Sequence, residues 1–320
     1  MAKASFVSVA SVAEASRLSR ENPKAFFMAG GTDLLILKRN QLIHPQPILY
    51  LKNIPGLAEI RPEPKGGLRV GAAATLDAVA KDPLIRQNYP LLAQAANAVA
   101  SPQIRNKATI GGNICLNSRC WFFNRSPFWR AEYPECRKAA GGTKCYVLPN
   151  SLKGCFALQS GDTVGPLVAM GAKLRLSSDQ GERVLEVEDF YEGDGIRYLA
   201  LQPGEILTEV LLPEPKRTGI FIKFRSQNNL DFATFNLTLL PPREGRGSKI
   251  ILSSVASRPL RARKAEALFD QGAAEKEVVD QALKEFPLVS FVRGTVEFKK
   301  RVLAARMTEA LAAFRNPLRR

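Results

Sequence analysis

The chain has 320 residues, 45% hydrophobic, 8% aromatic and 24% charged, which is enough apolar material for more than one core and for two or three subdomains. Its formal charge of +16 is interleaved, with 17 Lys plus Arg against 9 Asp plus Glu over residues 243–320 and no dense polybasic tail, so nucleic acid is not expected as a partner. No stretch approaches the roughly 18 apolar residues of a membrane span, and the N-terminal segment lacks a signal-type apolar run, so a cytoplasmic location is expected.

Ser11 and Glu14 make an S-x-x-E capping box that predicts a helix to about Glu21, stopped by Asn22 and Pro23. AFFMA (25–29) reads as a buried strand and Gly30-Gly31 as its turn, with Thr32 or Asp33 capping a helix through LLILKRN. ILYL (48–51) and LRVGAAA (68–74) read as strands, Thr75 as the cap of a helix over 76–81, and 91–100 as a helix broken at Ser101-Pro102. A second glycine turn follows in TIGGNI (109–114). From Cys115 to Cys155 periodicity fades and Gly, Pro, Asn and aromatics accumulate, as in a long inserted loop held by function or by a metal. AKLRLSSDQGERVLEVEDF (172–190) predicts a hairpin turning at Asp179 to Gly181, and EILTEVLLP (205–213) another strand. Pro213 and Pro215 mark a boundary, after which come strands near 220–225 and 249–255 and helices at about 261–270, 275–285 and 296–314. The fold class is α+β, in units 1–55, 56–213 and 216–320.

Paired glycines let several backbone N–H groups converge without Cβ interference, and such a nest binds phosphate oxygens. A diphosphate could sit between the turns at 29–35 and 109–114. Neither turn is G-x-G-x-x-G or a Walker loop, which argues against a Rossmann nicotinamide site and against ATP hydrolysis. All five cysteines fall within 115–155, too few for a disulfide scaffold and clustered as metal ligands are. The single histidine, His44, reads as a loop residue, and no nucleophile–base pair stands out, so no catalytic residue is assigned.

Taken together, Ala29-Gly30-Gly31-Thr32-Asp33 and Thr109-Ile110-Gly111-Gly112-Asn113 resemble the two flavin-diphosphate turns of the FAD-binding subunits of the molybdenum hydroxylases, the xanthine dehydrogenase family. The resemblance covers nearly the whole chain. It matches Asp162 in GDTVGPLVAMGAKLRL (161–176) and Lys223 in FIKFRSQNNLDFAT (221–234) to flavin-contacting residues, whereas on their own both read as ordinary surface charges. It implies a two-part N-terminal FAD-binding domain followed by a small α+β domain. It also implies FAD held by Met28, Ala29, Gly30, Gly31, Thr32, Asp33, Leu34, Leu35, Ser101, Thr109, Gly112, Asn113, Asp162 and Lys223.

The insert at about 115–157 resembles that of the flavin subunits of 4-hydroxybenzoyl-CoA reductases, which carry an extra [4Fe–4S] cluster there. The match begins in NICLNSRCWFFNRSPFWR and implies Cys120, Cys136, Cys145 and Cys155 as ligands, at intervals of 16, 9 and 10, with Cys115 as a bystander. Seven basic and two acidic residues lie between Arg119 and Cys155, a surplus of +5 that suits four thiolates on an anionic cluster. Trp121, Phe122, Phe123, Phe128, Trp129 and Tyr133 are expected to shield it from water. A structural zinc also takes four cysteines, although zinc sites favour close C-x₂₋₄-C pairs and none is present.

By this resemblance the chain is an oxidoreductase subunit whose partners are a molybdenum-cofactor large subunit and a 2Fe–2S small subunit, with ferredoxin as electron donor. Electrons would pass from the 4Fe–4S cluster to FAD and on to the 2Fe–2S and molybdenum centres of an aromatic acyl-CoA dehydroxylating enzyme. The alternative reverses the traffic, in a hydroxylase of aromatic or N-heterocyclic substrates with a structural metal in the cysteine loop. A basic nucleic-acid-binding module with a Cys₄ zinc loop is the third reading.

Overall fold

The capping box closes at the N-terminus: the Ser11 hydroxyl accepts from the Glu14 N–H, and the Glu14 carboxylate reaches back to the Ala10 N–H. The helix it starts runs Val12–Glu21 in the computed structural model, which describes residues 5–64, 66–151, 154–215, 218–225, 230–243, 245–290 and 294–315. Lys153 and residues 226–229 of the FIKFRSQNNLDFAT segment therefore lie outside the described residues.

Three sheets follow one another along the chain. Strands Phe6–Ser8, Ile48–Tyr50 and Phe26–Met28 form the first, parallel and in that spatial order. The second is antiparallel, in the order Ile60–Pro62, Leu68–Gly71, Ile206–Leu212, Lys173–Ser178 and Gly181–Glu186. Its last two strands are the expected hairpin. The third is also antiparallel, in the order Leu260–Arg261, Lys249–Ser253, Phe235–Leu240 and Ile220–Phe224. Helices Arg263–Asp270, Glu275–Glu285 and Val296–Arg315 cover one face of this third sheet.

Strand Phe235–Leu240 shows why the site lies where it does. Alternate side chains of a strand point to opposite faces. Phe235, Leu237 and Leu239 enter the core shared with the C-terminal helices. Asn236, Thr238 and Leu240 face the other way, and Leu240 joins the larger core beneath the second sheet. Asn236 is thereby carried into the interior beside Asp162.

Several elements differ from expectation. The strand expected at 25–29 is shorter, Phe26–Met28, and half-buried, because one side of it lines a cavity. The strand at 68–74 ends at Gly71: a Cβ there would lie 2.3 Å from the Leu57 carbonyl oxygen, and Ala72–Ala74 turn away. The helix expected over 91–100 is Pro90–Asn97, preceded by an unforeseen helix Pro83–Asn88 capped by Asp82. The loop over 115–155 holds two short helices, Pro127–Ala131 and Arg137–Ala140. Among the described residues no helix is long and apolar enough to cross a membrane.

Candidate functional site

The first glycine turn ends the half-buried strand and packs directly on the segment that leads into the second. A Cβ on Gly30 would lie 2.1 Å from the Lys107 carbonyl oxygen, so only glycine allows this contact. Gly31 has φ +71°, the left-handed region that favours glycine. Between them the turns wall a cavity of about 490 Å³, within the range of cofactor pockets.

Met28, Ala29, Gly30, Gly31, Thr32, Asp33, Leu34, Thr109, Gly112, Asn113, Asp162 and Lys223 all line it. Two expected residues do not. Leu35 is 47% exposed on the outer side of helix Leu34–Arg39, one position past the cavity wall. Ser101 is buried, and its hydroxyl caps helix Pro102–Arg105 through the Ile104 N–H; its neighbour Ala100 supplies the wall.

The two turns are not equivalent donors. The N–H groups of Gly30, Gly31, Thr32 and Asp33 donate to no acceptor among the described residues, leaving an open nest. At the second turn the backbone donors of residues 110–113 are spent: Ile110 and Gly111 N–H go to the Ala74 and Ala72 carbonyls, Gly112 N–H to Thr109 Oγ1 and Asn113 N–H to the Thr109 carbonyl. Two matching nests were expected. The structure has one nest facing a bare glycine surface. Asn113 turns inward, its Oδ1 accepting from both the N–H and the hydroxyl of Thr163.

Asp162 and Lys223 are no surface charges. Their side chains are 4% and 7% exposed, and Lys223 Nζ donates to Asp162 Oδ2 at 2.6 Å and to the Ala98 carbonyl at 3.0 Å. Asn236 donates to the other Asp162 oxygen at 2.9 Å. Burial raises the Asp162 carboxyl above its ordinary range, and the adjacent Lys223 ammonium opposes that rise. Asp33 occupies the N-cap position of its helix, yet its carboxylate accepts from Arg119 Nη1 at 2.9 Å instead of capping. Arg119 in turn lies 4.2 Å over the Phe232 ring, so residues of the insert and of the first turn close on one another.

Cys120, Cys136, Cys145 and Cys155, all buried, line a second and far smaller cavity of about 10 Å³. Burial pushes the Cys120 thiol up to about 11 and raises that of Cys155. Among the described residues no three His, Cys, Asp or Glu side chains come close enough together to hold a single metal ion. The loops that carry the thiols are tied at Arg137, whose guanidinium donates to the carbonyls of Thr143, Gly154 and Ser151. Cys155 N–H is held by Asp194, and Cys120 N–H by Asn124. Cys115 stands apart in the wall of the larger cavity, its thiol raised by burial to about 12.

Of the expected aromatic shield, Phe122 and Phe123 line the thiol cavity, and Tyr133 packs edge-on to Phe122 and Tyr146. Trp121, Phe128 and Trp129 are exposed instead, with the Arg125 guanidinium over the Trp121 ring. Their short loop and helix run along the surface, where no core element covers them.

Three residues that hold the site were not foreseen, Asn236, Asn117 and Tyr198, and Lys138 was foreseen only as one of the insert's seven basic residues. Asn117 and Tyr198 line the larger cavity. Lys138 lies in the wall of the smaller one, where burial lowers its ammonium to about 8.

Residues 2–215 match the family described as FAD binding domain in molybdopterin dehydrogenase. The chain is 30% identical over 269 residues to the aldehyde oxidoreductase FAD-binding subunit PaoB of Escherichia coli (strain K12), covering 82% of this chain and 84% of that one. It is 30% identical over 234 residues to the putative xanthine dehydrogenase FAD-binding subunit XdhB of the same organism, covering 72% of this chain and 66% of that one. Among solved structures, quinoline 2-oxidoreductase from Pseudomonas putida 86 superposes with a TM-score of 0.77 at 21% identity, covering 97% of this chain and 96% of its own. That likeness is one of fold.

Proposed function

Because the chain belongs to the FAD-binding family of the molybdopterin dehydrogenases, we propose that it is the flavin subunit of a molybdenum enzyme and that Cys120, Cys136, Cys145 and Cys155 hold a [4Fe–4S] cluster. One observation carries the cluster reading: four cysteines spaced 16, 9 and 10 residues apart in the sequence come to line one cavity. Such wide intervals suit a cluster better than zinc, whose sites favour close cysteine pairs. The nest of Gly30 to Asp33 would hold the flavin diphosphate against the bare surface of Gly112, and the buried Asp162–Lys223 pair would orient the flavin from the far wall.

Bound there, FAD and the cluster supply the electron chemistry, and the chain binds and orients both and excludes water. The partners on this reading are a large molybdenum subunit and a small 2Fe–2S subunit, and the donor is an acidic ferredoxin drawn to the insert's basic surplus. The enzyme is then a reductive one, similar to 4-hydroxybenzoyl-CoA reductase. The opposite traffic has an observation of its own: the relatives are named as FAD subunits of an aldehyde oxidoreductase and of xanthine and nicotinate dehydrogenases.

Paired serine variants test the ligand set. Cys136→Ser should lose its iron while keeping FAD, and Cys115→Ser should keep both. Equal iron loss in the two variants would show that the ligands are wrongly assigned.

A further inference from the structure

Lys138 stands between the two cavities. Its residue belongs to the wall of the thiol cavity, yet its ammonium donates to Asn117 Oδ1 at 2.8 Å, to the Ser118 hydroxyl and to the Gly195 carbonyl. Asn117 belongs to the wall of the larger cavity. Two rings flank the same ammonium, one from each cavity: Phe123 at 4.9 Å and Tyr198 at 5.3 Å. The three hydrogen bonds use all three donors of the ammonium, and the ring faces favour a cation, so this charge is fixed in place. The other two cations of the thiol-cavity wall point elsewhere. Arg137 is committed to three backbone carbonyls, and Lys144 is exposed and paired with Glu135.

A fixed positive charge away from bulk water stabilises whichever neighbouring group has gained an electron, and it acts over a longer distance than an exposed one. We propose that Lys138 is a positioning residue serving both redox sites at once, its ammonium making reduction easier for a cluster held by the four cysteines and for a flavin beyond Asn117. This rests on the flavin and cluster assignments of the preceding subsection. It goes beyond them in giving one side chain a joint electrostatic role. A lysine with a purely structural role would be replaceable by any residue that restores its hydrogen bonds, without regard to charge.

The test compares Lys138→Gln, which keeps two of the three donors and removes the charge, with Lys138→Arg, which keeps the charge. Both are read at pH 7 by redox titration of the cluster by EPR and of the flavin by absorbance, in the assembled enzyme purified without oxygen. The glutamine variant should show an about tenfold less favourable cluster reduction, about 59 mV for a one-electron couple. Its flavin should shift in the same direction, and the arginine variant should stay within threefold of wild type at both centres. A glutamine variant within threefold of wild type at either centre, or an arginine variant that shifts equally, would overturn the proposal. Should the glutamine variant lose its iron, the flavin comparison is repeated in a Cys136→Ser background, where neither protein carries a cluster and the same shift is required. Wild-type protein without iron would refute the cluster assignment and with it the joint role, and the flavin titration would then show whether Lys138 acts on the flavin alone.

Discussion

Gly112→Ala should push stability and flavin affinity in opposite directions. Gly112 sits within helix Ile110–Ile114, exposed to the larger cavity, and its N–H is already bonded to Thr109 Oγ1 at 3.0 Å. A Cβ built there meets only Thr109 Oγ1 within 4 Å, at 3.1 Å, a contact relieved by a small shift. Alanine in place of glycine in a helix contributes about 0.4–1 kcal/mol, so the apoprotein should be unchanged or slightly more stable, with a Tm rise of no more than about 3 °C. The same methyl group occupies the surface against which the diphosphate is proposed to lie, and it would hold the phosphates off the nest of Gly30 to Asp33. Losing one charge-assisted hydrogen bond costs about 1.5–3 kcal/mol, or about 10- to 150-fold in the FAD dissociation constant. Differential scanning fluorimetry of the apoprotein and calorimetric FAD titration read the two effects separately. An intact apoprotein that binds FAD within twofold of wild type would refute the placement of the diphosphate at this turn.

Asp162→Asn leaves the Lys223 ammonium buried without a counter-charge, and the protein should lose about 3–5 kcal/mol of stability in urea unfolding. The double variant Asp162→Asn/Lys223→Met should recover part of that loss, and additive losses would show that the pair is uncoupled. Glu205 accepts from Arg183 Nε at 2.6 Å, from Arg183 Nη2 at 2.8 Å and from the Gln202 N–H at 2.7 Å, bonds that hold its carboxyl below the ordinary value of 4.5. Its folded pKa being depressed, the stabilisation is present above pH 4.5 and is lost as pH falls through the lower folded value. Glu205→Gln should therefore cost about 1 kcal/mol at pH 7, the partly exposed Arg183 limiting the loss, and the gap from wild type should close in acid. A gap that widens below pH 4.5 would show that the sign is wrong.

Features set by local chemistry were legible in the sequence. The capping box at Ser11, the hairpin turning at Asp179 and the two glycine turns each announce themselves through a few adjacent residues. Hydrogen bonds between distant segments were not. The second glycine turn has the composition of a nest, but two of its donors are taken by the Ala72 and Ala74 carbonyls, which no local pattern reveals. Strand Phe235–Leu240 alternates apolar and polar residues over its first five positions, and a period-2 count would have found it and with it the inward-facing Asn236. Lys138 and Asn117 are 21 positions apart and meet only because the insert folds back on the flavin side. The exposed Trp121, Phe128 and Trp129 show the converse error, since aromatic content near cysteines does not say which rings turn inward.

On the proposed function, one chain holds both a flavin and an iron–sulfur cluster, a composition open to direct analysis. It is tested most directly by iron, zinc, acid-labile sulfide and FAD analysis of the protein purified without oxygen with its partner subunits, after separation of this chain. About four iron and four sulfide per FAD are expected on this chain. Stoichiometric zinc, or FAD with neither iron nor sulfide, would contradict it.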